Sequence, residues 1–189
     1  MRARLADHPL RAARLVLGST LIVGAVRVKI VEVEAYGSPE NGLWPDPAAH
    51  TYPGPTARND VMFGPAGHLY VYLSYGIHTC VNVTAGPAGE GGGVLLRAAS
   101  ILEGVDLVRE RRCVSDPDER LAAGPGRLGQ ALGITLSDKG IDLLDPGSPV
   151  RLEIASRRGP VVSGPRIGIS KAVQRPWRLW LDGNTSVSR

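Results

Sequence analysis

The sequence predicts a single domain of the α+β class, and three observations carry that expectation. Its 189 residues suit one domain with a substantial core. Runs rich in β-branched residues alternate with helical patterns, without internal repeats. No stretch is long enough to act as a linker between domains.

The opening MRARLADHPLRAARLVLG reads as an amphipathic helix stopped by Gly18, with Pro9 able to sit in a first helical turn. Arg2 and Arg4 ahead of an apolar stretch resemble a signal peptide, but Arg11 and Arg14 interrupt that stretch, so a cytoplasmic protein is expected. TLIVGAVRVKIVEVEAY (20–36) reads as strand, with Gly24 a turn or bulge. Strict alternation would put Glu32 and Glu34 on the side begun by Val28 and Ile30, with Val31, Val33 and Ala35 opposite. Residues 37–57 hold five prolines and form a long loop, of the kind that is functional or disordered.

LYVYL (69–73) and HTCVNVTA (78–85) read as strands reversed at SYGI (74–77), which makes a β-hairpin. The glycine-rich run after it leads into a further strand, VLLRAA (94–99). ILEGVDLVRERR (101–112) reads as helical, and a second helix is expected at GPGRLGQALG (124–133). RLEIAS (151–156), IGIS (167–170) and WRLWL (177–181) supply late strands.

The net charge of +4 permits a polyanionic partner without requiring one. Nineteen of the 22 basic residues are arginine, which matches phosphate geometry better than lysine but would equally follow from codon bias. The two cysteines, Cys80 and Cys113, have no metal-ligand spacing, which fits a reducing compartment and gives no zinc site. No stretch approaches the ~20 apolar residues of a membrane span.

All five tyrosines lie between residues 36 and 75, in a chain with one phenylalanine, so they are not general core filler. Tyr70 and Tyr72 share a strand face, whereas Tyr75 falls in the reversal, where it either meets a partner or folds back onto the sheet. Tyrosine offers a flat π-face suited to stacking on nucleobases. Glu32 and Glu34 either mark where the strand meets water, or put a partly desolvated general base in a pocket wall beside Tyr36. His50, ending the AAH of the proline-rich loop, would by itself be an ordinary surface or core histidine.

Read in order, EAY (34–36), AAH (48–50), RNDVMF (58–63), LYVYLSYG (69–76), NV (82–83) and LLRA (95–98) resemble the alkyladenine, or methylpurine, DNA glycosylase family. The resemblance extends from ARLVLGSTL through GPGRLGQALG and GPRIGIS to RPWRLWL, nearly the whole chain. It implies a compact domain with a curved, mostly antiparallel sheet, surrounding helices and a protruding hairpin. It also implies an enzyme that rotates damaged purines out of duplex DNA and hydrolyses the N-glycosidic bond.

Under this resemblance Glu34 matches the general base, with Arg97 and the backbone carbonyl of Ile167 holding the water. Tyr36, Tyr72 and His50 enclose the extruded base, with Tyr70 beneath as support. Asn82 crowds the amine of guanine, and Leu95 lines the same pocket. The amide of His50 and the carbonyl of Ala48 read the adenine-like edge. Tyr75 enters the minor groove in place of the flipped base, and Arg127 grips a phosphate near a helix start.

No lysine matches a Schiff-base nucleophile, so the resemblance implies a monofunctional enzyme without metal or organic cofactor, acting on duplex DNA as a monomer. GPGRLG also fits G-x-G-x-x-G, but no strand precedes it and Pro125 opens the helix, which argues against a dinucleotide site. The chain departs from the family pattern in a longer loop between Tyr36 and His50, in Ala57 where proline is common, and in His78 where an aromatic is common. Two rival readings remain at this stage. One is a non-catalytic single-stranded nucleic-acid-binding domain with a tyrosine stacking platform. The other is a glycoside hydrolase pairing Glu32 with Glu34, although i, i+2 carboxylates sit side by side rather than flanking a sugar.

Overall fold

The computed structural model describes residues 1–188. Two short helices, α1 (Arg2–Leu5) and α2 (Pro9–Val16), replace the single helix expected at the start. Pro9 opens α2 because its fixed φ suits a first turn and its missing amide has no partner to lose there. His8 caps the helix, its Nδ1 accepting the Leu10 amide at 3.0 Å.

Strands β1 (Thr20–Val23) and β2 (Val26–Tyr36) follow, reversed at Gly24 with φ +56°. The proline-rich loop forms no helix or strand of its own, and a single 3-10 turn at Asp60–Phe63 closes it. β3 (Leu69–Ser74) and β4 (His78–Thr84) then form the expected hairpin.

β5 (Gly93–Glu103) is longer than expected. Ile101–Glu103, read as the start of a helix, continue the strand, and α3 (Val105–Arg112) begins only after Gly104, whose φ of +81° ends the extended run. Next come α4 (Asp118–Leu121), α5 (Pro125–Leu132) and β6 (Val150–Glu153). β7 (Val161–Gly164), not foreseen, pairs with β8 (Arg178–Leu181). The IGIS segment is not a strand but a series of bends between those two.

The named strands pair antiparallel throughout and join into one curled sheet, whose main path runs β3-β4-β5-β2-β1-β6. One edge of β2 is shared. Residues 26–29 pair with β1 and residues 32–34 with β8, while β5 runs along the other edge.

The changeover coincides with a slip in the β2–β5 ladder: Ile30 faces Ala99, Glu32 faces Ala98, and Val33 faces Leu96, leaving Val31 and Arg97 outside the register. Bulges of this kind re-aim side chains. Ile30 and Val31 are consecutive, yet both belong to the apolar core, as do Ala98 and Ala99. The strict alternation expected from sequence is therefore wrong: Val28, Ile30, Val31, Val33 and Ala35 all join one core, and Glu32 and Glu34 turn to the other side.

Helices α2 and α5 pack on this core, against β2 and β4 respectively. Gly129 permits the α5 contact, because a Cβ there would collide with the Thr79 carbonyl of β4. That close approach holds the middle of α5 against the hairpin strand β4.

Candidate active site

Glu34 is fully buried and holds three partners. Its Oε1 accepts the Ile167 amide at 2.8 Å and lies 3.3 Å from Arg97 Nη1, while its Oε2 accepts the Tyr36 hydroxyl at 2.8 Å. A carboxylate oxygen can accept about two hydrogen bonds. Oε1 thus holds one hydrogen bond and the Arg97 ion pair, whereas Oε2 holds only the Tyr36 hydroxyl and keeps acceptor capacity for one more donor. Tyr36, Arg97 and Ile167 all line the main cavity, so Glu34 lies directly behind its wall.

Glu32, also fully buried, is occupied differently. Its Oε1 takes Arg97 Nε at 3.2 Å and Arg178 Nε at 2.5 Å, and its Oε2 takes the Ser188 amide at 2.7 Å. Buried charges persist only when paired and hydrogen-bonded, and here two carboxylates face two guanidiniums. Surrounded in this way, Glu32 is not free to act as the second carboxylate of a glycoside hydrolase.

The cavity, of about 580 Å³, is walled by aromatic and polar groups. The His50 ring meets Tyr72 edge-on at 4.6 Å between centroids, and its Nδ1 is 3.0 Å from the hydroxyl of Tyr70. Tyr70 is buried and stacks on Tyr72 at 5.6 Å. Burial pushes the hydroxyls of Tyr36, Tyr70 and Tyr72 up from their ordinary value, so all three stay neutral donors. Burial and the nearby Arg58 lower His50, favouring a neutral ring. Asn82 donates to the Tyr70 carbonyl at 3.2 Å and sits opposite Leu95 in the ladder, and both line the cavity.

The proline-rich loop is held by a buried ion pair. Asp46 Oδ2 and Oδ1 accept Arg166 Nη1 and Nη2 at 2.5 and 2.9 Å, and the pair is fully buried. Arg166 also donates to the Ala35 carbonyl at 3.0 Å and stacks over Tyr36 at 4.6 Å. One residue on, Ile167 delivers its amide to Glu34. A single contact thus ties the loop, the end of β2 and the Ile167 segment together.

At the hairpin tip Tyr75 is 91% exposed and has a left-handed φ of +52°. That conformation is unfavourable for a bulky residue and points to function when the surroundings impose it. Arg127 lies in the first turn of α5, in a shallow depression that also includes Tyr75, Gly126 and Arg112.

The match to a known family decides the reading of this geometry. The family model for methylpurine-DNA glycosylase (MPG) matches residues 3–185. The chain belongs to the methylpurine-DNA glycosylase family. A protein of Rhodococcus jostii named "Putative 3-methyladenine DNA glycosylase" is 57% identical over 96% of this chain and 81% of its own length. Proteins of the same name from Nocardia farcinica and Mycobacterium tuberculosis are 56% and 54% identical, each over 97% of this chain and over 88% and 90% of their own lengths. Membership makes the chain a DNA-repair glycosylase, a hydrolase of N-glycosyl bonds with DNA as its substrate. No described helix is long and apolar enough to cross a membrane.

Within this methylpurine-DNA glycosylase, the structure gathers Tyr36, His50, Tyr72, Tyr75, Asn82, Leu95, Arg97 and Ile167 around one cavity, with Glu34 behind it. Ile167 meets Glu34 through its amide, while the carbonyl expected from the resemblance to hold the water is a separate group of the same residue. Ala48 is not among the lining residues, and its amide donates to Asp46 Oδ1 at 3.3 Å. Arg127 stands beside the cavity rather than in it.

Sequence reasoning gave no role to Arg58, which lies over the Tyr72 ring at 5.2 Å, or to Met62, which lines the floor near β5. Both stand inside the RNDVMF stretch already singled out. Asp46 and Arg166 were missed too, because nothing local marks two residues 120 apart as partners.

Proposed function

We propose that this glycosylase acts on alkylated or deaminated purines by rotating the nucleotide out of the duplex into the tyrosine-lined cavity, with Glu34 as general base. The observation that carries the reading is the open acceptor position on Glu34 Oε2, behind a cavity wall of Tyr36, Arg97 and Ile167. Water is a poor nucleophile and C1′ gains positive charge as the base departs. A water donating to Oε2 gives up a proton as its oxygen bonds to C1′, and the electrons of the breaking C1′–N bond leave with the purine. The carboxylate also lies where it can stabilise the cationic sugar.

Tyr36, Tyr72 and His50 supply the stacking walls for the base, and Asn82 and Leu95 shape the end that discriminates among purines. Tyr75 fills the vacated stack, and Arg127 at the start of α5 meets a backbone phosphate. The carbonyl of Ala48 and the amide of His50 read the base edge. No lysine lines the cavity, which supports a monofunctional enzyme that leaves the abasic strand uncut. The same reading takes the acting species as a cytoplasmic monomer without metal or organic cofactor.

The test is Glu34→Gln, assayed for base release from duplexes carrying hypoxanthine, ethenoadenine or a methylated purine. Release is expected to vanish while lesion-duplex binding persists. Wild-type turnover in the variant would remove Glu34 from the chemistry.

A further inference from the structure

We infer that Glu32 and the amide of Ser188 form a clasp that positions Arg97 beside Glu34, so that the segment Asn184–Ser188 sets the geometry of the water-activating pair. The inference rests on Glu34 being the general base.

Arg97 is divided among three acceptors: Nε goes to Glu32 at 3.2 Å, Nη1 to Glu34 at 3.3 Å and Nη2 to Ser188 Oγ at 3.4 Å. A guanidinium is planar and rigid, so contacts on its three nitrogens fix both its place and its plane. Glu32 is in turn held by Arg178 Nε at 2.5 Å and by the Ser188 amide at 2.7 Å, a bond spanning 156 residues of sequence. Arg178 Nη2 closes the ring on the Ser188 carbonyl at 3.3 Å.

Nearer β5, Asn184 Oδ1 accepts the Ser186 amide at 2.9 Å and the Ser100 hydroxyl at 3.3 Å. Ser186 and Ser100 also meet through their hydroxyls at 3.1 Å. The segment is therefore pinned to the strand that carries Arg97, three residues before Ser100.

The clasp matters because of what Arg97 would do without it. If Glu32 lost its charge, two buried guanidiniums would share one carboxylate, and Arg97 would be free to turn and pair with both oxygens of Glu34. Bidentate pairing is the favoured geometry for arginine and carboxylate. It would fill the open position on Oε2 that the attacking water needs. Glu32 thus acts through Arg97: it draws the guanidinium to one side and leaves the base accessible. The Ser188 amide holds Glu32 in the orientation that does so.

The experiment compares single-turnover base release per active molecule, lesion-duplex affinity and melting temperature for the wild type, Glu34→Gln, Glu32→Gln, Glu32→Asp, Ser188→Pro and Ser188→Ala. Glu32→Gln is expected to slow release on the order of a hundredfold, the scale of small misplacements of catalytic groups, with affinity unchanged. Glu32→Asp should recover part of the rate, because it keeps the charge. Ser188→Pro removes the donor to Glu32 and should slow release. Ser188→Ala keeps that amide and loses only the hydroxyl that accepts from Arg97 Nη2, so it should slow release less than Ser188→Pro.

A merely structural role would lower the melting temperature and the active fraction while leaving the rate per active molecule intact, and that outcome overturns the inference. Should Glu32→Gln fail to fold, Ser188→Pro decides: a wild-type rate there overturns the clasp. Full activity in Glu34→Gln would instead refute the general-base reading, and the clasp would fall with it.

Discussion

The Tyr36 hydroxyl donates to Glu34 Oε2 at 2.8 Å, so one residue is both a wall of the cavity and a hydrogen-bond partner of the proposed base. Burial, and secondarily the Glu34 carboxylate, push the phenol well above its ordinary value, which keeps the proton on Tyr36. Tyr36→Phe retains the ring and loses only this bond. Hydrogen bonds to charged groups are worth about 1.5–3 kcal/mol, so single-turnover release should fall by about tenfold or more while lesion affinity stays near wild type. Tyr36→Ala should lose affinity as well. Equal behaviour of the two variants in binding and rate assays would mean that the ring alone matters.

His50 packs against Tyr72 and faces the Tyr70 hydroxyl, and burial first and Arg58 second hold it below the histidine value of 6.5. A group lowered in this way is neutral above that pH and takes up a proton only as the pH falls further. Lesion-duplex affinity should therefore be independent of His50 ionisation above pH 6.5 and change only below it. His50→Gln, neutral throughout, should abolish that acidic change. A histidine-dependent step above pH 6.5, measured as affinity against pH in both proteins, would contradict the assignment.

The sequence made some of this arrangement visible and hid the rest for physical reasons. The hairpin was legible because LYVYL and HTCVNVTA alternate around a short turn, and α2 because Pro9 marks its start. The cluster of tyrosines stands out from local pattern alone, whereas Glu34 is set apart from Glu32 only by the family resemblance. The side on which Glu34 lies could not, because the slip at Val31 depends on β2 changing partners from β1 to β8. Nor could the surroundings of Glu34 be seen. Ile167 and Arg166 come from bends that resemble a strand in letters, and Ser188 reaches Glu32 across 156 residues of sequence.

The Asp46–Arg166 pair is the next test of how the loop is held. Burial alone would raise Asp46, but the hydrogen bonds from Arg166 and from the Gly37 and Ala48 amides outweigh it and keep the carboxyl below 3.8. Asp46→Asn leaves a fully buried guanidinium without its counterion, a change that costs about 3–5 kcal/mol in buried pairs. Because the folded value is depressed, the wild type should keep the contribution of Asp46 above the unfolded value of about 4 and lose it as the pH falls through the folded one. Chemical unfolding of both proteins should show a gap that is constant near neutrality and narrows in acid. A gap that widened in acid would reverse the sign of this coupling.

Tyr75 separates folding from function most sharply, because it stands 91% exposed at the hairpin tip in a left-handed conformation. An exposed side chain contributes little to the core, so Tyr75→Ala should leave the melting temperature nearly unchanged. Tyr75→Gly should melt at the same temperature or higher, since glycine adopts positive φ without the strain of a side chain. Both variants should nevertheless weaken capture of flipped lesions by about 1–3 kcal/mol, the scale of base–aromatic stacking. Tyr72→Ala should differ in kind: Tyr72 forms a wall of the cavity against His50 and Tyr70, so its loss should reduce affinity, selectivity and rate together. Thermal melts and lesion-duplex titrations on the same variants decide the matter. If Tyr75→Gly binds lesion duplexes as tightly as the wild type, the tip is not a wedge, and the strain at Tyr75 needs another explanation.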